Sequence, residues 1–115
     1  MRIVTFYLLL NGSSPIKDFL DSLTGEQAKK VLWVLKLVED MDILPRQYFK
    51  KLTGREGIWE VRVGLGNDIF RLLGFLSKRR FLIPTNAFVK KTQKTPKREI
   101  ALAIQRKKEY LSRKK

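Results

Sequence analysis

Residues 57–76, GIWEVRVGLGNDIFRLLGFL, constrain the fold more tightly than any other stretch. Two runs rich in β-branched, aromatic and aliphatic residues flank Gly66-Asn67, a pair suited to the two-residue primed turn that joins antiparallel strands. With those residues as the loop, Leu65 faces Asp68, Val63 faces Phe70, Val61 faces Leu72 and Trp59 faces Gly74. All but the first pair lie on one apolar face, and the Trp59 ring covers a residue without a side chain. The other face carries Glu60, Arg62, Arg71, Leu73 and Phe75, and it sets Arg62 directly opposite Arg71. Like charges across strands destabilise by about 0.2–1 kcal/mol. An anion between the two guanidinium forks removes that cost, and so does neutralisation by Glu60. Two ordinary arginines on an exposed face are the plain alternative.

The flanking segments set the class. Residues 2–10, RIVTFYLLL, read as a first strand, followed by a turn at Asn11–Ser14. Ser14 caps a helix with Pro15 in its first position, and Ile16, Phe19, Leu20 and Leu23 form one apolar face. Thr24 and Gln27 match a capping box for a longer helix reaching about Met41. Its stripe is Ala28, Val31, Leu32, Leu35 and Val38, widened by Val34, Leu37 and Met41, so it is expected to be well buried. Residues 43–56 read as irregular, with Pro45 and Gly54 as breakers. A further strand is expected over about 80–89, with Pro84 marking an edge or a bulge. Thr95 then caps, and Pro96 opens, a helix to about Ser112 with Ile100, Ala103, Ile104 and Leu111 inside. The order β-α-α-β-β-β-α predicts one α+β domain over 1–115. It is a mostly antiparallel sheet with an N-terminal helical hairpin and a C-terminal helix, all expected on one face.

Absences narrow the chemistry. The chain has no Cys and no His, which removes disulfides, Cys-based zinc sites, Cys nucleophiles and His general bases. Any catalysis falls to Lys, Arg, Tyr, Asp or Glu, types that favour electrostatic stabilisation of an anionic centre. Charge is lopsided: residues 1–77 hold 11 Lys/Arg against 9 Asp/Glu, whereas residues 78–115 hold 14 against 2. A basic third on a nearly neutral body suggests a polyanionic partner, or else a solubilising tail. No apolar run is long enough for a membrane span. Met1-Arg2-Ile3-Val4 leads straight into a strand-like run, so a cytoplasmic protein without a signal peptide is expected.

Four stretches in this order resemble the RelE/ParE toxin superfamily, and more closely its phage-derived, HigB-like branch. They are KKL at 50–52, WEVRV at 59–63, Phe70-Arg71-Leu72 and FVKKTQKTPKREI at 88–100. The resemblance spans nearly the whole chain by element order and implies a small RelE-like fold. It implies a type II toxin, a ribosome-dependent mRNA endonuclease that uses the ribose 2′-OH as nucleophile with no metal or cofactor. It further implies a HigA-like antitoxin of helix-turn-helix type as partner, and operator DNA as a target of the toxin–antitoxin complex. The family's strand-borne basic residues match Arg62 and Arg71, and those after its last strand match the Lys90-Lys91 neighbourhood. Where some relatives carry Lys two residues before the Arg62 position, this chain has Glu60, and Asn86 stands where HigB-like relatives often carry His or Asn.

In such a reaction Arg62 and Arg71 clamp the non-bridging oxygens, while Lys90 or Lys91 serves the 5′ leaving oxygen. Glu60 either accepts the 2′-OH proton or forms a salt bridge that holds Arg62. Phe88 either stacks on a base or packs in the core. Lys50, Lys51, Asn86, Gln93 and Lys94 are candidates for holding RNA. Two other readings use the same residues differently: a ParE-like gyrase inhibitor, which does not need the arginine pair, and an RNA-binding module without catalysis.

Overall fold

In the computed structural model, which describes residues 1–54, 56–90 and 94–113, Gly66 takes a φ of 61° and closes the turn that the Gly-Asn pair predicts. The chain runs β1 (Ile3–Val4), α1 (Pro15–Asp21), α2 (Gly25–Asp40), β2 (Phe49–Lys51), β3 (Ile58–Leu65), β4 (Asp68–Ser77), β5 (Phe81–Val89) and α3 (Lys97–Arg113). Every expected hairpin pair is present: Leu65 opposite Asp68, Val63 opposite Phe70, Arg62 opposite Arg71, Val61 opposite Leu72, Trp59 opposite Gly74. The five strands form one curled sheet in the order β1-β5-β4-β3-β2, antiparallel except where β1 runs parallel to β5. This is the small α+β arrangement that the RelE-like resemblance implies.

Pro84 marks a bulge, not an edge. Leu73 pairs with Asn86 but Gly74 pairs with Pro84, which leaves Thr85 as the extra residue. At that irregularity the two backbones approach so closely that a Cβ built on Gly74 would overlap the carbonyl oxygen of Ile83.

Two expectations about the strands change. The first strand is much shorter than residues 2–10: only Ile3–Val4 pair fully, although Thr5 and Tyr7 still donate to Leu82 O and Pro84 O. It stops because Leu9 N–H turns to Ser13 O and Gly12 N–H to Leu9 O. The segment expected to be irregular contains β2, which pairs with β3 through Phe49–Val61, Lys50–Glu60 and Lys51–Trp59. Its anchor is apolar: Phe49 is buried and stacks on Trp59 with ring centroids 4.5 Å apart.

Helices cover both faces of the sheet, contrary to the expectation of one. Side α1–α2 is capped as expected, with Ser14 Oγ accepting from Lys17 N and the Thr24/Gln27 box closed in both directions. On that side Ile16, Val31, Val34, Leu35 and Val38 pack against Val61, Val63, Phe70 and Leu72. The buried stripe of α2 is therefore narrower than expected, and Leu32 and Met41 are exposed. On the opposite side Ile100 and Ala103 of α3 bury Ile58 and Leu73, while Tyr110 meets Phe75 edge-on. Leu111, expected inside, is exposed. The second face of the hairpin is thus covered for most of its length, and only its turn end is left open to hold a site.

Candidate functional site

Strand pairing places the basic residues in rows. Because side chains alternate along a strand, residues paired across the sheet share a face. One row reads Lys50–Glu60–Leu73–Asn86, and the next holds Arg62–Arg71–Phe88. Lys90 N–H then donates to Ile69 O at 2.7 Å, which extends β5 past Val89 and starts a third row with Gly64 opposite Ile69. All three rows lie on the α3 side.

At the centre is a buried ion pair. Arg71 is 2% exposed and Glu60 is fully buried. Both carboxylate oxygens accept from one nitrogen, Arg71 Nη1, at 2.8 and 2.7 Å. Thr95 Oγ1 donates to Glu60 Oε2 at 2.8 Å and lies 3.4 Å from the same Arg71 nitrogen. Arg71 Nε is buried with no hydrogen-bond partner among the described residues. The opposed arginines are thus accommodated in part by neutralisation: Glu60 holds Arg71, not Arg62. The Thr95 hydroxyl, expected to cap α3, is spent on this pair, and the helix starts two residues later at Lys97.

Around the pair the field is positive. Among the described residues Lys50, Arg62, Arg71 and Lys90 gather four cations about the carboxylate of Glu60. Lys90 registers the crowding. Burial holds its proton affinity below that of an ordinary lysine, and the charges of Arg71 and Arg62 lower it further. Glu60 opposes that shift and Lys50 adds to it, so all four neighbours act at one ammonium. Beside Arg62 a cleft of about 300 Å³ opens at the turn end of the hairpin, lined by Lys30 of α2 and by Gln47, Tyr48, Arg62, Gly64 and Ile69. Such an arrangement attracts an anion, offers a half-buried Arg62 to bind it, and keeps beside it a lysine that gives up its proton more readily than most.

The other expected residues separate. Lys51 pairs with Trp59 and so points to the opposite face from Lys50. Asn86 is buried, and its Nδ2 donates to the Glu99 carbonyl and carboxylate at 3.1 and 3.0 Å, fastening the start of α3. Phe88 packs against the Ile58, Leu73, Ile100 and Ala103 cluster. Lys94 is exposed. Lys91 and Gln93 lie outside the described residues. Lys30, Gln47 and Tyr48 were not legible as site residues. The alternation of Tyr48, Lys50 and Leu52 against Phe49 and Lys51 carries a faint strand signal that would have brought Tyr48 and Lys50 to the sheet edge.

Among the described residues no acidic group gathers the three ligands that would hold a metal ion, and no helix is long and apolar enough to cross a membrane. No curated protein matches the chain. The family model described as phage derived protein Gp49-like (DUF891) matches residues 18–108, from within α1 to near the end of α3, and so includes the whole cation cluster. The chain therefore belongs to the phage-derived Gp49-like family, a family associated with RelE-like toxins whose toxins imply an antitoxin partner.

Proposed function

We propose that this protein is the toxin of a type II toxin–antitoxin pair and cleaves mRNA on the ribosome without a metal. The observation that carries the reading is the convergence of Lys50, Arg62, Arg71 and Lys90 on one sheet face around the Glu60 carboxylate. In the proposed reaction the ribose 2′-hydroxyl gives its proton to solvent water, and its oxygen bonds to the adjacent phosphorus to form a 2′,3′-cyclic phosphate as the bond to the 5′-oxygen breaks. Arg62 binds the non-bridging oxygens as their charge grows, an effect of the kind that contributes several kcal/mol. Arg71, fixed by Glu60 and Thr95, adds positive charge that needs no reorganisation during the reaction. Lys90 protonates the leaving 5′-oxygen, a role to which its lowered proton affinity suits it. Glu60 positions Arg71 in this reading, since its carboxylate is buried and committed. A cognate antitoxin, of HigA-like helix-turn-helix type in this proposal, silences the site, and the pair binds operator DNA.

The buried Glu60–Arg71 pair also favours a second reading, an RNA grip without catalysis, because it takes one arginine out of direct contact with substrate. A translating extract separates the two. With wild-type chain, mRNA breaks within translated regions; with Arg62→Ala or Lys90→Ala, it stays whole. Intact mRNA together with RNA binding by the wild type would leave only the grip. Loss of supercoiling activity by DNA gyrase, with mRNA intact, would move the protein to the ParE-like class.

A further inference from the structure

Gly64 has no explanation in the fold. It lies inside β3, in the row with Ile69 and Lys90, where glycine weakens a strand. Its backbone is not in the left-handed region that favours glycine. A Cβ built on it meets nothing within 4 Å, so packing does not exclude a side chain either. Gly66 and Gly74 each have a reason, a turn and a close backbone contact respectively. A strand glycine without such a reason marks a place where something else approaches closely, and Gly64 lines the open cleft beside Arg62.

The rest of that lining specifies what approaches. Tyr48 and Ile69 offer aromatic and aliphatic surface. Gln47 supplies an amide that both donates and accepts. Arg62 and Lys30 add two cations to the lining, with the Lys30 ammonium held 4.7 Å from the ring centre of half-exposed Trp33. A flat group with hydrogen-bonding edges, flanked by anions, matches this set. We propose that the cleft receives one unstacked nucleobase of a single-stranded RNA whose neighbouring phosphate lies on Arg62, with Gly64 leaving the room that the base plane occupies. This rests on the RNA reading above, and it adds a site that distinguishes bases where the cation cluster binds only backbone.

Fluorescence anisotropy with labelled 2′-O-methyl RNA hexanucleotides, which carry no 2′-OH to react, tests it on the full chain. One probe has all its bases; in the others a single abasic residue moves along the strand. Stacking on a protein aromatic contributes about 5-fold or more in affinity per base, so one abasic position should weaken wild-type binding by at least that factor. Gly64→Val, which puts a branched side chain into the cleft at a position where a Cβ meets nothing within 4 Å, should bind intact and abasic probes alike. Its far-ultraviolet circular dichroism should match wild type. Equal wild-type binding at every abasic position, with Arg62→Ala still binding more weakly, would overturn the base site and leave the phosphate grip standing. Wild-type binding too weak to detect, or unchanged by Arg62→Ala, would overturn both.

Discussion

Removing either partner of the Glu60–Arg71 pair leaves the other charge buried and uncompensated. Breaking such a pair costs about 3–5 kcal/mol, a large part of the roughly 5–15 kcal/mol that holds a domain together, whereas replacing both partners with apolar residues is often neutral. Glu60→Gln and Arg71→Met should therefore each lower the urea midpoint sharply, and the Glu60→Leu/Arg71→Met double variant should recover most of the loss. Single variants as stable as wild type would mean that the pair is solvated in solution. Lys90 offers a test of the same cluster by pH. Its proton affinity is lower in the folded chain than in the unfolded one, chiefly through burial and then through Arg71 and Arg62. Between the folded value and the ordinary lysine value the unfolded chain thus binds the extra proton, and Lys90 makes stability rise with pH across that window. By carbon NMR its ε-methylene should titrate below those of the other lysines. Arg62→Ala should move that titration upward by removing a neighbouring charge, and so should bound RNA, by adding phosphate. A Lys90 resonance that titrates with the bulk and ignores Arg62→Ala would refute the crowding.

At the scale of elements, the hairpin was readable because its turn chemistry and its two-residue period agree: Gly66-Asn67 fixed the register, and the register alone put Arg62 opposite Arg71. The caps at Ser14 and Thr24 were readable for the same reason, since each is a local bond over three residues. What the sequence hid is long-range. Three residues of β2 are too few to show a period, and their apolar anchor, the stacking of Phe49 on Trp59, is a long-range contact. That omission concealed the division of Lys50 from Lys51. The covering of the second hairpin face by α3 was hidden too, because Glu60 and Arg71 read as solvent-facing until Thr95 and Ile100 close over them. The same closure turned Asn86 and Phe88 from candidate RNA contacts into anchors of α3. Gly74 shows how local and long-range demands meet in one residue. It pairs with Trp59 as the register requires, yet it is the bulge opposite Pro84 that forbids a Cβ there. Gly74→Ala should cost about 1–3 kcal/mol in a denaturant titration, because backbone and not a flexible side chain must move. A cost under a few tenths would mean that the bulge relaxes freely.

Over the whole molecule the charge divides into regions that act at different ranges. The cation cluster lies near the hairpin turn, at Arg71 of β4, whereas Lys78, Arg79 and Arg80 form the exposed turn at the far end of the same strand. Six residue-to-residue steps lead from Arg71 to Ser77, roughly 20 Å at about 3.3 Å each. That distance is more than twice the screening length of about 8 Å at physiological salt. Under the proposed RNA reading the turn therefore adds to the general attraction for a polyanion at low salt, but it does not tune the cluster under physiological conditions. Neutralising all three turn residues should weaken RNA binding at low salt and flatten its salt dependence by up to about 2 in log–log slope, near 0.7 for each lost phosphate contact. The Lys90 titration at physiological salt should not move. Arg62→Ala should give the converse: a slope change of only about 0.7, with a clear shift at Lys90. If the turn variant displaced the Lys90 titration at physiological salt, the two regions would be coupled through the fold, and the proposed anion site would not be self-contained.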